Sequence, residues 1–107
     1  MLLTDTQAQD IVDRLREALQ PEEIFLFGSQ ATRTTDDKES DVDLCVVVPD
    51  DAESTYEKTV RAYRSLRGTR IPKDLIVRHR SRFAERAGWS HSVEREIVKT
   101  GQRLYPR

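Results

Sequence analysis

The sequence predicts an α/β (α+β) fold, and three observations carry that expectation. Apolar residues recur at helical spacing in the N-terminal segment, short β-branched runs are bounded by Gly, Pro or polar residues, and the two patterns alternate along the chain. At 107 residues the chain has room for one modest core, so it reads as a single domain over 1–107.

The elements follow in order. Residues 4–19 carry Ala8, Ile11, Val12, Leu15 and Leu19 on one helix face, with Thr4 and Gln7 spaced for a capping box and Pro21 just beyond the stop. Residues 24–27, Ile-Phe-Leu-Phe, read as a strand ended by Gly28. A turn begins at Gly28-Ser29, with room for one helical turn through Gln30 and Ala31, and residues 32–40 form a polar loop. Asp41 opens a second strand that runs to Val48 and is broken by Pro49. Residues 52–67 form a helix with Tyr56, Val60, Tyr63 and Leu66 on its apolar face, closed by Gly68, so the tyrosines are expected in the core. Residues 71–77 form a third strand, and Pro72 assigns it an edge or entry position. Ser81 caps a short helix ended by Gly88, Ser90 or Ser92 caps another that stops at Gly101, and residues 103–105 make a last short strand. Trp89 is expected as a packing anchor, and His79 and His91, which lack ligand spacing, as surface residues.

Composition narrows the function classes. Charged residues make up 35% and hydrophobic ones 36%, and no apolar run approaches the ~20 residues of a membrane span. The N-terminus has no basic-then-apolar leader pattern, and the one cysteine, Cys45, sits inside an apolar run as a buried hydrophobe, so a cytoplasmic location is expected. Charge is unevenly divided: residues 1–54 hold 4 basic and 14 acidic side chains, residues 55–107 hold 14 and 5. Such a split suits an acidic cation-binding end and a basic phosphate or partner face, or two halves that neutralise each other. Arg61, Arg64, Arg67 and Arg70, three residues apart, suit a solvated helix stripe as well as a phosphate track, so direct nucleic-acid binding ranks last.

The chemistry gathers between residues 24 and 48. On a strand Asp41 and Asp43 point the same way, roughly 6.6 Å apart. At an effective dielectric of ~20 they repel by roughly 2.5 kcal/mol, which calls for a cation or a basic neighbour. Hard carboxylate oxygens suit Mg²⁺, which keeps several waters and is completed by substrate phosphates. Gly28-Ser29 suits the phosphate end, because glycine permits close backbone approach and the serine can donate. Asp74, an isolated acid in the third apolar run, is the candidate third carboxylate for a second metal. Each residue alone has a bland alternative: Asp41 a turn residue, Asp43 an arginine partner, Asp74 an edge-strand gatekeeper.

Together these residues resemble the minimal nucleotidyltransferase (MNT) domain of the DNA polymerase β superfamily, in which Gly-Ser follows a strand, Asp-x-Asp opens the next and a third Asp sits on a later one. Here Gly28-Ser29, Asp41-Val42-Asp43 and Asp74 fill those places, and the likeness extends through "KDLIVRHRSRF" to "REIVKTGQRLYPR". Two departures lie in the loop: residues 30–40 are one longer than is common between the Gly-Ser and the first Asp, and Arg33 and Thr34 stand where a glycine is frequent.

The resemblance implies a small mixed sheet flanked by helices and a two-Mg²⁺ transfer of a nucleoside monophosphate from ATP. Asp41 and Asp43 would hold the nucleotide-bound metal, Gly28 and Ser29 the phosphates, and Asp74 the second metal. It further implies an antitoxin that modifies a tyrosine hydroxyl of a HEPN-family RNase toxin with AMP. The competing expectations are an inactive domain that neutralises its partner by contact and a small-molecule, aminoglycoside-type nucleotidyltransferase.

Overall fold

In a computed structural model the described residues are 3–32 and 41–107. Helix α1 (Asp5–Leu19) leads into strand β1 (Glu23–Phe27) and a single helical turn, α2 (Ser29–Thr32). Strand β2 (Val42–Val48), helix α3 (Thr55–Ser65) and strand β3 (Lys73–His79) follow. Helices α4 (Arg80–Ala87) and α5 (Val93–Thr100) then lead to strand β4 (Gln102–Tyr105).

The four strands form one mixed sheet in the order β3-β2-β1-β4. β1 pairs antiparallel with both β2 and β4, whereas β2 and β3 run parallel through the α3 crossover. A parallel pair needs such a crossover, because no tight turn can return the chain to the starting end.

α1 begins where the sequence places it. The Thr4 side chain accepts a hydrogen bond from the Gln7 N–H (3.1 Å), and the Thr4 N–H donates to the Gln7 side chain (2.9 Å), which closes the capping box. Ala8, Ile11, Val12, Leu15 and Leu19 then face the sheet. They pack with Ala62 and Leu66 over Ile24, Leu26, Val42, Leu44, Val46 and Val48. The opposite sheet face is covered by α4 and α5 through Phe83 and Ile97, which meet Cys45 and Val47; Phe25 and Phe83 stack with ring centroids 5.8 Å apart. β2 is therefore buried on both faces, apart from Asp43.

Several details differ from expectation. α3 starts at Thr55 because Ser54 accepts from the Glu57 N–H (3.1 Å) and caps it. Its tyrosines are not core: Tyr56 is 76% exposed and Tyr63 39%, and Ala62, Lys58 and Leu66 are buried instead. The face that matters runs Lys58-Ala62-Leu66, and the Tyr63 hydroxyl instead accepts the N–H of Leu75 on edge strand β3 (3.0 Å). β3 is displaced two residues along the chain, with Pro72 at its entry, where its carbonyl receives the Val42 N–H. α4 starts at Arg80, ahead of Ser81. Trp89 is 44% exposed, with Arg82 and Arg86 over its ring. The polar loop expected over 32–40 falls, from residue 33 on, outside the described residues, as do Arg33 and Thr34.

Part of the uneven charge is neutralised between the two halves. Arg80 pairs with Glu22 and Glu23, Arg61 with Glu53, and Lys58 with Asp51, each joining the basic to the acidic half.

Candidate active site

The mixed sheet brings three separate chain segments to one end. Because β1 runs antiparallel to β2, its last residue, Phe27, pairs with Asp43 near the start of β2. Because β3 runs parallel to β2, Asp74 near its start is the register partner of Asp43. Register partners share a sheet face, and neighbouring strands lie about 4.8 Å apart, so Asp43 and Asp74 are lateral neighbours. Asp41 sits immediately before β2 and is exposed, as is Asp74 on its edge strand. Asp43 is half-buried, on the face of Cys45 and Val47.

Gly28 closes the third side. Its φ is +74°, a left-handed conformation that glycine adopts at no steric cost, and a Cβ there would lie 2.5 Å from Asp43 Oδ2. The glycine is thus required twice, by the turn out of β1 and by the carboxylate against its backbone. Ser29 is the first residue of α2, directly after it. Gln30 is buried and its side-chain oxygen accepts the Leu3 N–H (3.0 Å), tying the segment before α1 to this turn.

The electrostatics follow from the placement. Burial, then the neighbouring charges of Asp74 and Asp41, hold the Asp43 carboxyl above its ordinary value of 3.8. Among the described residues no basic side chain forms an ion pair with Asp41, Asp43 or Asp74, so the arginine-partner alternative for Asp43 finds no support. The carboxylates influence one another without closing into a cage: among the described residues no group of three His, Cys, Asp or Glu side chains converges as a ready metal site.

A family model described as a nucleotidyltransferase domain matches residues 8–103. The chain belongs to the nucleotidyltransferase domain family. Solved structures agree on the fold. A protein from Sulfolobus solfataricus described as a candidate nucleotidyltransferase is 23% identical, with a TM-score of 0.61 over 92% of this chain and 76% of that one. A toxin–antitoxin complex with AMP-PNP is 22% identical, with a TM-score of 0.59 over 92% and 72%. A mutant of the toxin–antitoxin MntA-HpeT is 19% identical, with a TM-score of 0.57 over 92% and 71%. No curated protein matches the sequence.

In this nucleotidyltransferase domain the donor set suits Mg²⁺. The oxygens are hard, they carry like charge with no ion-pair partner among the described residues, and one or two carboxylates with substrate phosphates are the usual complement of that ion. No helix among the described residues of the domain is long and apolar enough to cross a membrane. Two features of the site were not apparent in the sequence. The contact between Gly28 and Asp43 depends on strand order, and Gln30 is an unremarkable polar residue until its helical turn is packed against the chain start.

Proposed function

We propose that this domain is a Mg²⁺-dependent nucleotidyltransferase that moves AMP from ATP to a hydroxyl acceptor, namely a tyrosine of a HEPN-family RNase toxin, and so acts as the antitoxin of the pair. The observation that carries this reading is the meeting of Gly28, Asp43 and Asp74 at one sheet end, with Asp41 beside them. The toxin–antitoxin setting and the nucleotide are supported by the AMP-PNP complex among the structural neighbours.

In this mechanism Asp41 and Asp43 would hold the nucleotide-bound Mg²⁺, and Asp74 would hold a second ion. Bound there, the metal would supply charge neutralisation for the triphosphate and the departing pyrophosphate. The backbone of Gly28 and Ser29 binds the phosphates. Asp74, open to solvent on the edge strand, accepts the proton of the attacking hydroxyl. A new oxygen–phosphorus bond forms at the α-phosphorus as the bond to the β-phosphate oxygen breaks, and pyrophosphate leaves.

Label transfer tests the proposal. ATP labelled at the α- or the γ-phosphate is incubated with Mg²⁺, the domain and the protein co-expressed from the neighbouring gene. Transfer from the α-position alone, lost in Asp43→Asn, is expected. Transfer from the γ-position, or normal turnover by Asp43→Asn, would remove the assignment.

A further inference from the structure

At the other end of β3 lies a second polar site that the carboxylates do not use. A groove of about 450 Å³ is lined by Thr55, Arg78, His79, Arg82 and Arg86. Arg78 is four residues beyond Asp74, about 13 Å along the strand, so the groove is separate from the carboxylate end.

The arginines are held in place from beneath. Glu94 on α5 is fully buried, and one of its oxygens, Oε2, accepts from Arg78 Nε (2.9 Å) and from Arg86 Nε (3.0 Å). The other, Oε1, has no hydrogen-bond partner among the described residues. One fully buried acid thus fixes two guanidinium groups through their Nε atoms. Among the described residues, the outer nitrogens of the pair make one bond, from Nη1 of Arg78 to the Val77 carbonyl (3.2 Å).

Burying a carboxylate is costly, and a well-packed apolar residue often serves stability as well, which makes a positioned pair of arginines the more telling result of the arrangement. Arg82, one turn before Arg86 on α4, completes the set. It pairs with Glu85 (3.0 Å), but both side chains are more than half exposed, so that bond is weak and the guanidinium can turn to a ligand.

Guanidinium groups fixed in this way match the planar, bidentate recognition of phosphate oxygens. We infer that the Arg78-Arg82-Arg86 groove is a second anion site, remote from the carboxylates, that binds a condensed phosphate such as pyrophosphate or the polyphosphate tail of a nucleotide. The compact groove, unlike an extended basic track, suits a short charged group. A nucleic-acid backbone could present the same chemistry, and the test separates the two sources.

Trp89 is the natural reporter. It is the only tryptophan, and Arg86 and Arg82 lie 4.8 and 5.4 Å from the centre of its ring. Its fluorescence is titrated with pyrophosphate, with ATP and with an oligouridylate, all in EDTA, and binding is measured in parallel by equilibrium dialysis. Wild type and Asp43→Asn should bind pyrophosphate saturably and alike. Arg82→Gln, which leaves the Glu94 bonds intact, should bind about 10-fold more weakly, the loss of roughly one charged hydrogen bond, and Arg82→Lys should recover part of it.

Tighter binding of oligouridylate, with a steep salt dependence, would assign the phosphate to a nucleic-acid backbone. Preference for pyrophosphate or ATP would assign it to a small molecule. Absence of saturable binding in wild type, equal binding by Arg82→Gln, or loss of binding in Asp43→Asn would overturn the inference.

Discussion

Replacing Asp43 by asparagine should make the domain more stable while abolishing transfer. Asparagine keeps the shape of aspartate, so no cavity opens, and what changes is charge. Asp43 lies about 4.8 Å from Asp74 across neighbouring strands and roughly 6.6 Å from Asp41 along the chain. At the dielectric of water the two repulsions sum to roughly 1.5 kcal/mol, and at an effective dielectric of 20 to roughly 6 kcal/mol. Asp41 and Asp74 are exposed, so the value belongs near the screened limit, and we take about 1.5 kcal/mol.

For a domain of this size that corresponds to a rise in Tm of about 6 °C. The assay is thermal unfolding in EDTA at low ionic strength, followed by circular dichroism. The gain should shrink with added NaCl as screening increases. Mg²⁺ should raise the Tm of wild type more than that of the variant. Asp43→Asn melting at or below wild type in EDTA would refute the reasoning, because the three carboxylates would then not be sharing an unfavourable field.

Three further outcomes follow from the geometry. Gly28→Ala should unfold at lower temperature, by about 1–2 kcal/mol for the left-handed backbone alone, and should lose transfer because the new methyl group meets Asp43 Oδ2; melting and the label assay read both. Glu94→Gln should destabilise the domain by about 3 kcal/mol in urea unfolding, since a buried ion pair is broken on one side only. Burial alone pushes the Glu94 carboxyl up, but bonds from its own backbone N–H, Arg78 and Arg86 outweigh this and hold it below 4.5. Its stabilisation is therefore complete above that value and lost as pH falls through the lower folded pKa, so wild type should approach the variant in stability under acid titration. Cys45, pushed up to about 12 chiefly by burial, should resist thiol reagents at neutral pH until the domain unfolds, as a timed modification assay would show.

Local signals in the sequence identify most elements and single out three candidate aspartates, because each is written in a short window. Thr4 with Gln7, the apolar spacing of α1 and the glycine after β1 all depend on neighbours a few residues away. Tyr56 and Tyr63 mislead because their spacing with Leu66 mimics an apolar face, whereas the alternative face through Lys58 hides behind a charged name. Lys58 is buried since its ammonium reaches Asp51 (2.7 Å). The candidate aspartates can be singled out in the sequence but their juxtaposition cannot, for the register of Asp43 against Asp74 relates residues 31 positions apart with no turn to encode it. Glu94 is likewise invisible, since nothing adjacent to it announces the two arginines that make its burial tolerable.

The parallel pairing of β2 with β3 also bears on how the molecule comes together. The antiparallel contact of β1 with β2 sets Asp43 beside Gly28, with Asp41 two residues before it, independently of β3. Asp74 arrives when the α3 crossover closes, a non-local event that is intrinsically slow. The Asp43–Asp74 repulsion thus belongs to the pairing of the edge strand, whereas the Asp41–Asp43 repulsion is present along the β2 segment itself. A domain built this way brings Asp43 and Asp74 together only through the completed crossover.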